Sequence, residues 1–343
     1  MRSLQQLNHR ERPVVVQVPD PVPTGEQVLV RVLAAGLCHT DLGLMALGPD
    51  QMRWPLPFAI GHEVVGVIEQ IGPDVQAESA RVGVPVAVFG AWGCGDCTQC
   101  AHGRENYCPD VASWNISRPG LGGPGGIADL VLVDHPRHLI PLGGLDPVAA
   151  VGLTDAGLTS YHAISSELDR LPEGSTAAVV GVGGLGHVAI QLLKAMTPAT
   201  VLAIDIAESK RDVARESGAD QVLIAPDAEQ LRAVVGHGVD VVFDFVGTDQ
   251  SVQQSLRLVS PGGAVSVVGA GGGRVQAGFD TLPRGVRISF PFWGGLDDLR
   301  AVLDLARQGR IAVDTTQYPL DQVVQAYDDL DAGRIPGRAV VVP

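Results

Sequence analysis

From about Val151 onward this chain of 343 residues alternates segments of strand length with segments of helix length. TAAVV leads into a helix from about Gly184 to Met196, then VLAID. A helix from Glu208 to Ser217 precedes QVLIA, a helix near 227–235 precedes VDVVFDF, and a helix near 249–258 precedes AVSVVGA. The strands are apolar almost throughout. A strand of that kind has no face to show to water, so the pattern specifies a parallel sheet covered by helices on both sides.

The flanking sequence has another texture. VVVQV at 14–18 and VLVRVLAA at 28–35 are rich in β-branched residues and bounded by Pro and Gly, which marks strands. A long stretch punctuated by Gly and Pro follows to Pro147, with strands expected near 64–71 and 84–88. After about Val286 come ISFPFWGG, helices near 296–308 and 321–332, and a closing strand RAVVVP. A chain of this length exceeds one ordinary core. The expected organisation is a β-rich domain over 1–150 and 287–343, interrupted by a doubly wound domain over 151–286.

Between these elements lies G-C-G-D-C-T-Q-C-A-H-G-R-E-N-Y-C, which holds Cys94, Cys97, Cys100 and Cys108. The spacing C-x2-C-x2-C-x7-C lets four thiolates converge on one tetrahedral ion, as structural zinc requires. Two disulfides would suit a small secreted domain, and the spacing matches neither common ferredoxin run. With five cysteines in all, this loop leaves only Cys38 for any second site.

Gly181-Val-Gly183-Gly184-Leu185-Gly186 follows TAAVV and opens a helix, the context that a dinucleotide-binding turn requires. The next strand ends at Asp205, placed to hold ribose hydroxyls, although a carboxylate there also suits capping of the following helix. No Arg follows to receive a 2′-phosphate, and Lys210 lies within reach of the same ribose, so NAD is expected rather than NADP.

Cys38, in GLCHTD, and His62, in GHE, each end an apolar run. A catalytic zinc takes three protein ligands and keeps a fourth position open. The third must be a carboxylate or histidine: Asp155 at the domain junction, with Glu63 and His162 as rivals. Each residue alone also suits a packing role. The formal charge of −14 argues against a nucleic-acid partner, since phosphate contacts dominate that affinity. No apolar window is long enough to span a bilayer, and MRSLQQLNHRERP has no apolar leader core. Together with reduced thiols, this sets the expectation of a cytoplasmic enzyme.

CHTD, GHE, the four-cysteine lobe and GVGGLG occur in the order found in zinc-dependent medium-chain alcohol dehydrogenases, which this chain resembles along its whole length, most of all the bacterial NAD-dependent secondary alcohol dehydrogenases. The resemblance implies a GroES-like catalytic domain and a Rossmann domain, one NAD, and two zinc ions per subunit. It assigns the catalytic ion to Cys38, His62 and Asp155, with Glu63 beside them or a transient ligand. Many relatives have Cys at position 155. The family mechanism acidifies the alcohol on zinc, passes hydride to the nicotinamide, and uses a hydroxyl at the place of Thr40 to lead the proton away. Several relatives continue that relay through a His where this chain has Gly43. The resemblance also implies that His39 and Arg338 contact cofactor phosphates and that Trp54, Leu121 and Trp293 line the substrate pocket. Two indoles and a leucine favour hydrophobic secondary alcohols and ketones over sugars, unless they are ordinary core. It implies a homo-oligomer as well, a tetramer or alternatively a dimer. Against a polyol dehydrogenase stand the two tryptophans. Against a non-catalytic relative or a zinc-free quinone reductase stands the joint presence of Cys38, Thr40, His62 and Asp155.

Overall fold

The computed structural model describes residues 1–76, 78, 80–112, 118–226, 228–236 and 238–343. It divides into two compact units: Met1–Asp155 with Gly295–Arg307 and Val313–Pro343, and Ala156–Gly294 with Gln308–Ala312.

The first unit is built on a mixed sheet whose centre is the strand Val28–Gly36. One side pairs antiparallel with Glu63–Ile71, which continues to Pro85–Val88 and Leu139–Pro141. The other side pairs with Leu130–Val133 at one end and with the last strand, Arg338–Val342, at the other. Thr315–Pro319 closes that edge as the parallel neighbour of Arg338–Val342. The sequence VLVRVLAAG is buried on both faces apart from Arg31 and Leu33, as a central strand must be. A small separate sheet joins Val14–Gln17, Arg2–Gln6 and Phe58–Ala59.

Register in the large sheet positions the chemistry. Gly36 faces Glu63 on one side and Val340 on the other. Cys38, His62, Glu63 and Arg338 therefore all emerge near one end of the sheet, although up to 300 positions separate them in sequence.

The second unit has six parallel strands in the order Gln221–Ile224, Thr200–Asp205, Thr176–Val180, Val239–Asp244, Val259–Val267 and Arg287–Ser289. The order runs outward in both directions from Thr176–Val180, which is the doubly wound arrangement of a dinucleotide-binding domain. Helices occupy Gly186–Met196, Lys210–Glu216, Ala228–Val235 and Asp249–Leu258. Position 227, at the expected start of the third of these, lies outside the described residues.

Both expected domain boundaries shift. The helix Pro147–Val151 and the turn Gly152–Thr154 pack on Val28–Gly36 and Glu63–Ile71, so the first unit runs on to Asp155. Arg287–Ser289, expected in the first domain, lies in the second unit. It adds a sixth parallel strand beside Val259–Val267, which keeps residues up to Gly294 in the second unit.

Candidate functional site

Cys38 lies two residues beyond the central strand and begins the short helix His39–Met45. His62 immediately precedes the strand that starts at Glu63, and Asp155 follows the turn Gly152–Thr154. Metal-capable atoms of Cys38, His62, Glu63 and Asp155 all fall within 4.8 Å of one another. Cys38 Sγ is 3.6 Å from Asp155 Oδ2, and His62 Nε2 is 3.9 Å from the same oxygen. Ligands placed tetrahedrally at zinc bond lengths stand roughly 3.3–3.8 Å apart. The thiol, imidazole and carboxylate thus fit one zinc ion with modest closure. His162, on the helix Ala156–Ser165, does not belong to this cluster among the described residues.

Behind the cluster lies a second layer of polar groups that the motifs alone did not single out. Asp41 is fully buried. Its Oδ1 stands 3.1 Å from His62 Nδ1, and its Oδ2 accepts from the Cys38 backbone N–H at 3.0 Å and from the Tyr327 hydroxyl at 2.9 Å. A carboxylate on Nδ1 of a ligating histidine sets the tautomer and aims Nε2 at the metal. Burial by itself disfavours the charged imidazole. The Asp41 charge and hydrogen bond, with Cys38 alongside, outweigh this and hold His62 well above its ordinary value. A metal must displace that proton to bind.

The Arg338 guanidinium, expected near a cofactor phosphate, is buried and engaged by carboxylates. Nε donates to Glu63 Oε2 at 2.9 Å, Nη2 donates to Asp155 Oδ2 at 3.0 Å, and Nη2 also pairs with Glu63 Oε1. Arg338 opens the last strand, whose register against Gly36 turns it toward Glu63, and three ionisable groups buried together require such compensation. Gly36 makes room: a Cβ there would meet Glu63 Oε2 at 2.0 Å. Thr40 is exposed, with Oγ1 3.5 Å from Cys38 Sγ. At Gly43 a Cβ would meet nothing within 4 Å among the described residues. His39 is exposed beside Thr40.

The other four cysteines form the second metal-capable group. All are free thiols. Cys94 and Cys100 sulfurs stand 3.9 Å apart, as do those of Cys97 and Cys108, close to the spacing of a closed thiolate tetrahedron. Backbone N–H groups of Cys94, Cys97 and Cys100 point at Cys108, Cys94 and Cys97 sulfurs respectively, which suits thiolate acceptors. Gly93 is required here, because a Cβ would meet Cys100 Sγ at 2.6 Å. Glu105 braces the loop, accepting from Gly93 N–H at 2.7 Å and from Arg137 Nε at 3.3 Å, and sitting 2.9 Å from His138 Nε2. His138 stacks on Trp92 with 5.5 Å between ring centroids. Arg118, bonded to the carbonyls of Trp92, Glu105 and Asn106, closes the other side, and burial pushes it down to about 10.

In the second unit the glycine-rich turn divides its labour by position. Gly181 has φ +89°, and a Cβ there would meet Val246 Cγ2 at 2.6 Å. A Cβ on Gly186 would meet Gly181 O at 1.9 Å, whereas at Gly183 it meets nothing within 4 Å. Tight turn, tight helix packing and open backbone for a pyrophosphate are the three roles this fingerprint demands. Asp205 accepts from Val182 N–H at 2.7 Å and from Ala207 N–H at 2.9 Å. Each oxygen keeps a lone pair for a ribose hydroxyl. Lys210 opens the next helix, and Gly184 and Leu185 complete the turn.

Trp54 lies edge-on to Phe58 at 6.1 Å, over Gly122, where a Cβ would strike its ring at 2.2 Å. Leu121 is the adjacent, half-buried residue. Trp293, in the second unit, is buried at φ +54° with Phe292 edge-on at 6.1 Å.

Residues 24–144 match the alcohol dehydrogenase GroES-like domain, and residues 184–308 match the zinc-binding dehydrogenase domain. A D-arabinose 1-dehydrogenase (NADP(+)) of Saccharolobus solfataricus is 35% identical over 329 residues, covering 94% of this chain and 92% of that protein. An NAD-dependent alcohol dehydrogenase of Sulfurisphaera tokodaii is 32% identical over the whole of both. The crystal structure of an alcohol dehydrogenase from the hyperthermophilic archaeon Aeropyrum pernix superposes with a TM-score of 0.92 at 33% identity and covers both chains fully. A cluster able to hold a metal in one unit and a dinucleotide-binding fold in the other are what a metal-dependent dehydrogenase requires. The chain belongs to the zinc-dependent medium-chain alcohol dehydrogenase family.

Proposed function

We propose that this protein is a zinc-dependent, NAD-linked alcohol dehydrogenase that interconverts hydrophobic secondary alcohols and their ketones. The observation that carries the reading is the convergence of Cys38, His62 and Asp155, three groups of different type suited to one ion, beside a separate closed thiolate set. Zinc held by these three supplies the Lewis acidity that makes an alcohol's proton leave near neutral pH, and NAD supplies the hydride acceptor.

The chain's residues do the rest. Cys38 and Asp155 present two negative charges to a divalent ion, the same count as in relatives with two cysteines, while the carboxylate donates less electron density than a thiolate. Asp41 holds the His62 ring, and Arg338 balances Glu63 and Asp155. Thr40 accepts the hydrogen bond of the alcohol oxygen and leads the proton away. With Gly43 in the place of a histidine, the path continues through ribose hydroxyls and water. Asp205 disfavours a 2′-phosphate by charge, which supports NAD.

Trp54, Leu121 and Trp293 as pocket walls support hydrophobic substrates. The likeness to a D-arabinose dehydrogenase favours a sugar as the second reading. We place the enzyme in the cytoplasm as a homotetramer, with a dimer as the alternative. No described helix is long and apolar enough to cross a membrane.

The test is zinc content per subunit in wild type and Asp155→Ala, together with NAD-linked oxidation of 2-propanol, cyclohexanol, 1-phenylethanol and D-arabinose. Two zincs in wild type, one in the variant, and activity on the first three alcohols lost with the second ion are expected. One zinc and no alcohol oxidation in wild type would sink the proposal, and preference for arabinose would move it to sugars.

A further inference from the structure

We infer that Tyr327 is a positioning residue for the catalytic zinc: its hydroxyl fixes the Asp41 carboxylate that orients His62. The inference rests on reading Cys38, His62 and Asp155 as the zinc ligands.

Tyr327 lies on the helix Val323–Asp331, which packs against His39–Met45. It is the largest fully buried side chain among the described residues. A phenylalanine would fill the same space, and burying a phenol hydroxyl is unfavourable unless it finds a partner. The partner here is Asp41 Oδ2, at 2.9 Å and 286 positions away in sequence.

The other two contacts on Asp41 come from the ligand segments themselves, the Cys38 backbone and the His62 ring. Those two move with the groups they hold and give the carboxylate no external reference. Tyr327 supplies one, because its ring is locked in the core of a different helix. Burial and the Asp41 charge hold its hydroxyl well above the ordinary value, so it remains a donor throughout the working range. With Oδ2 pinned from two directions, Oδ1 is left to His62 Nδ1, and Nε2 faces Cys38 and Asp155. A group bonded directly to a metal ligand, as Asp41 is to His62, is worth about 10–100-fold in metal affinity, and Tyr327 acts through that group.

Tyr327→Phe, Asp41→Asn and the double variant, each loaded with zinc, are exposed to excess chelator, and release is followed colorimetrically as two phases. The lobe zinc is the internal control. Tyr327→Phe is expected to release the catalytic zinc about 10-fold faster with the lobe phase unchanged. Its cobalt-substituted form should show displaced visible bands. The double variant should release zinc no faster than Asp41→Asn, because the hydroxyl acts through that carboxylate.

Unchanged release in Tyr327→Phe, effects that multiply in the double variant, or a lowered melting temperature with both phases intact would each overturn the inference. Site-specific 3-fluorotyrosine at 327 perturbs in the opposite sense, keeping the ring and strengthening the donor. It should slow catalytic-zinc release, and unchanged or faster release counts against the inference even where Tyr327→Phe folds poorly. A wild type holding only the lobe zinc would instead remove the ligand assignment itself.

Discussion

The two metal-capable regions bring their ligand atoms together by opposite uses of the chain. The lobe draws its ligands from Cys94 to Cys108, one irregular loop braced by Glu105, Arg118, Arg137 and His138. The catalytic cluster draws Cys38, His62 and Asp155 from three places and adds Asp41, Tyr327 and Arg338 behind them. In the first, a bound ion would organise the loop. In the second, packed elements of the first unit bring the ligand atoms together, and a metal held there could keep a position free for chemistry. Local ligands give closure; distant ligands give an open site with a tunable surround.

Substituting one ligand in each region should separate them most sharply. Cys38→Ser is expected to lower kcat/KM for alcohol oxidation by about 10³-fold or more, the scale of several kcal/mol of lost Lewis-acid assistance, while one zinc per subunit remains. Cys100→Ser should act on the fold. Because structural zinc contributes folding free energy directly, the expected signature is a lower melting temperature, with the catalytic zinc still present in the folded fraction. Equal loss of stability from both variants would break the contrast.

Next in size comes Arg338→Met. It removes the cation from two buried carboxylates and should destabilise the first unit by about 3–5 kcal/mol, measured by denaturant unfolding of the zinc-loaded protein. The corresponding change at the lobe, Arg137→Met, affects a partly exposed pair, and about 1 kcal/mol or less is expected. Similar costs at the two positions would mean that Arg338 is not the counter-charge its geometry indicates.

Smaller than the Arg338 effect is a pH dependence in the lobe. Burial lowers His138, but its hydrogen bonds to the Asp134 and Glu105 carboxylates more than reverse this and leave it above 6.5. Burial raises Glu105, but His138, Gly93 N–H and Arg137 bring it below 4.5. A raised histidine contributes fully below 6.5 and loses its contribution as pH climbs through its folded value. A lowered carboxylate contributes above 4.5 and loses its contribution as pH falls through its own. The pair is therefore worth most between about 4.5 and 6.5, and stability should decline by about 1–2 kcal/mol on the alkaline side. His138→Gln should flatten that decline in melting curves taken from pH 6 upward.

What could be read in the sequence follows the same division. The lobe and the glycine-rich turn are legible because their chemistry depends on spacing within one segment, and Gly181, Gly183 and Gly186 each meet the steric condition their positions imply. Cys38 and His62 are visible as strand-end residues. Asp41 and Tyr327 are not, since an aspartate in a short helix and a tyrosine in another carry no mark of meeting across the fold. Arg338 was legible as a charged residue at the start of a strand but not as to its partners. Only the register of the last strand against Gly36 turns it toward Glu63. The strand Arg287–Ser289 is three residues long, too short for its pattern to show which sheet it joins.

Arg338 also sets an order on biosynthesis. Chains are made from the N-terminus at roughly 5–20 residues per second, so the lobe's last cysteine emerges on the order of 10–50 s before the strand that carries Arg338. The lobe can take its zinc while most of the chain is still unmade. Glu63 and Asp155, made earlier, must wait for a positive charge that is made only at position 338. A nascent chain stalled late in synthesis would thus hold a mature lobe and an unfinished catalytic centre.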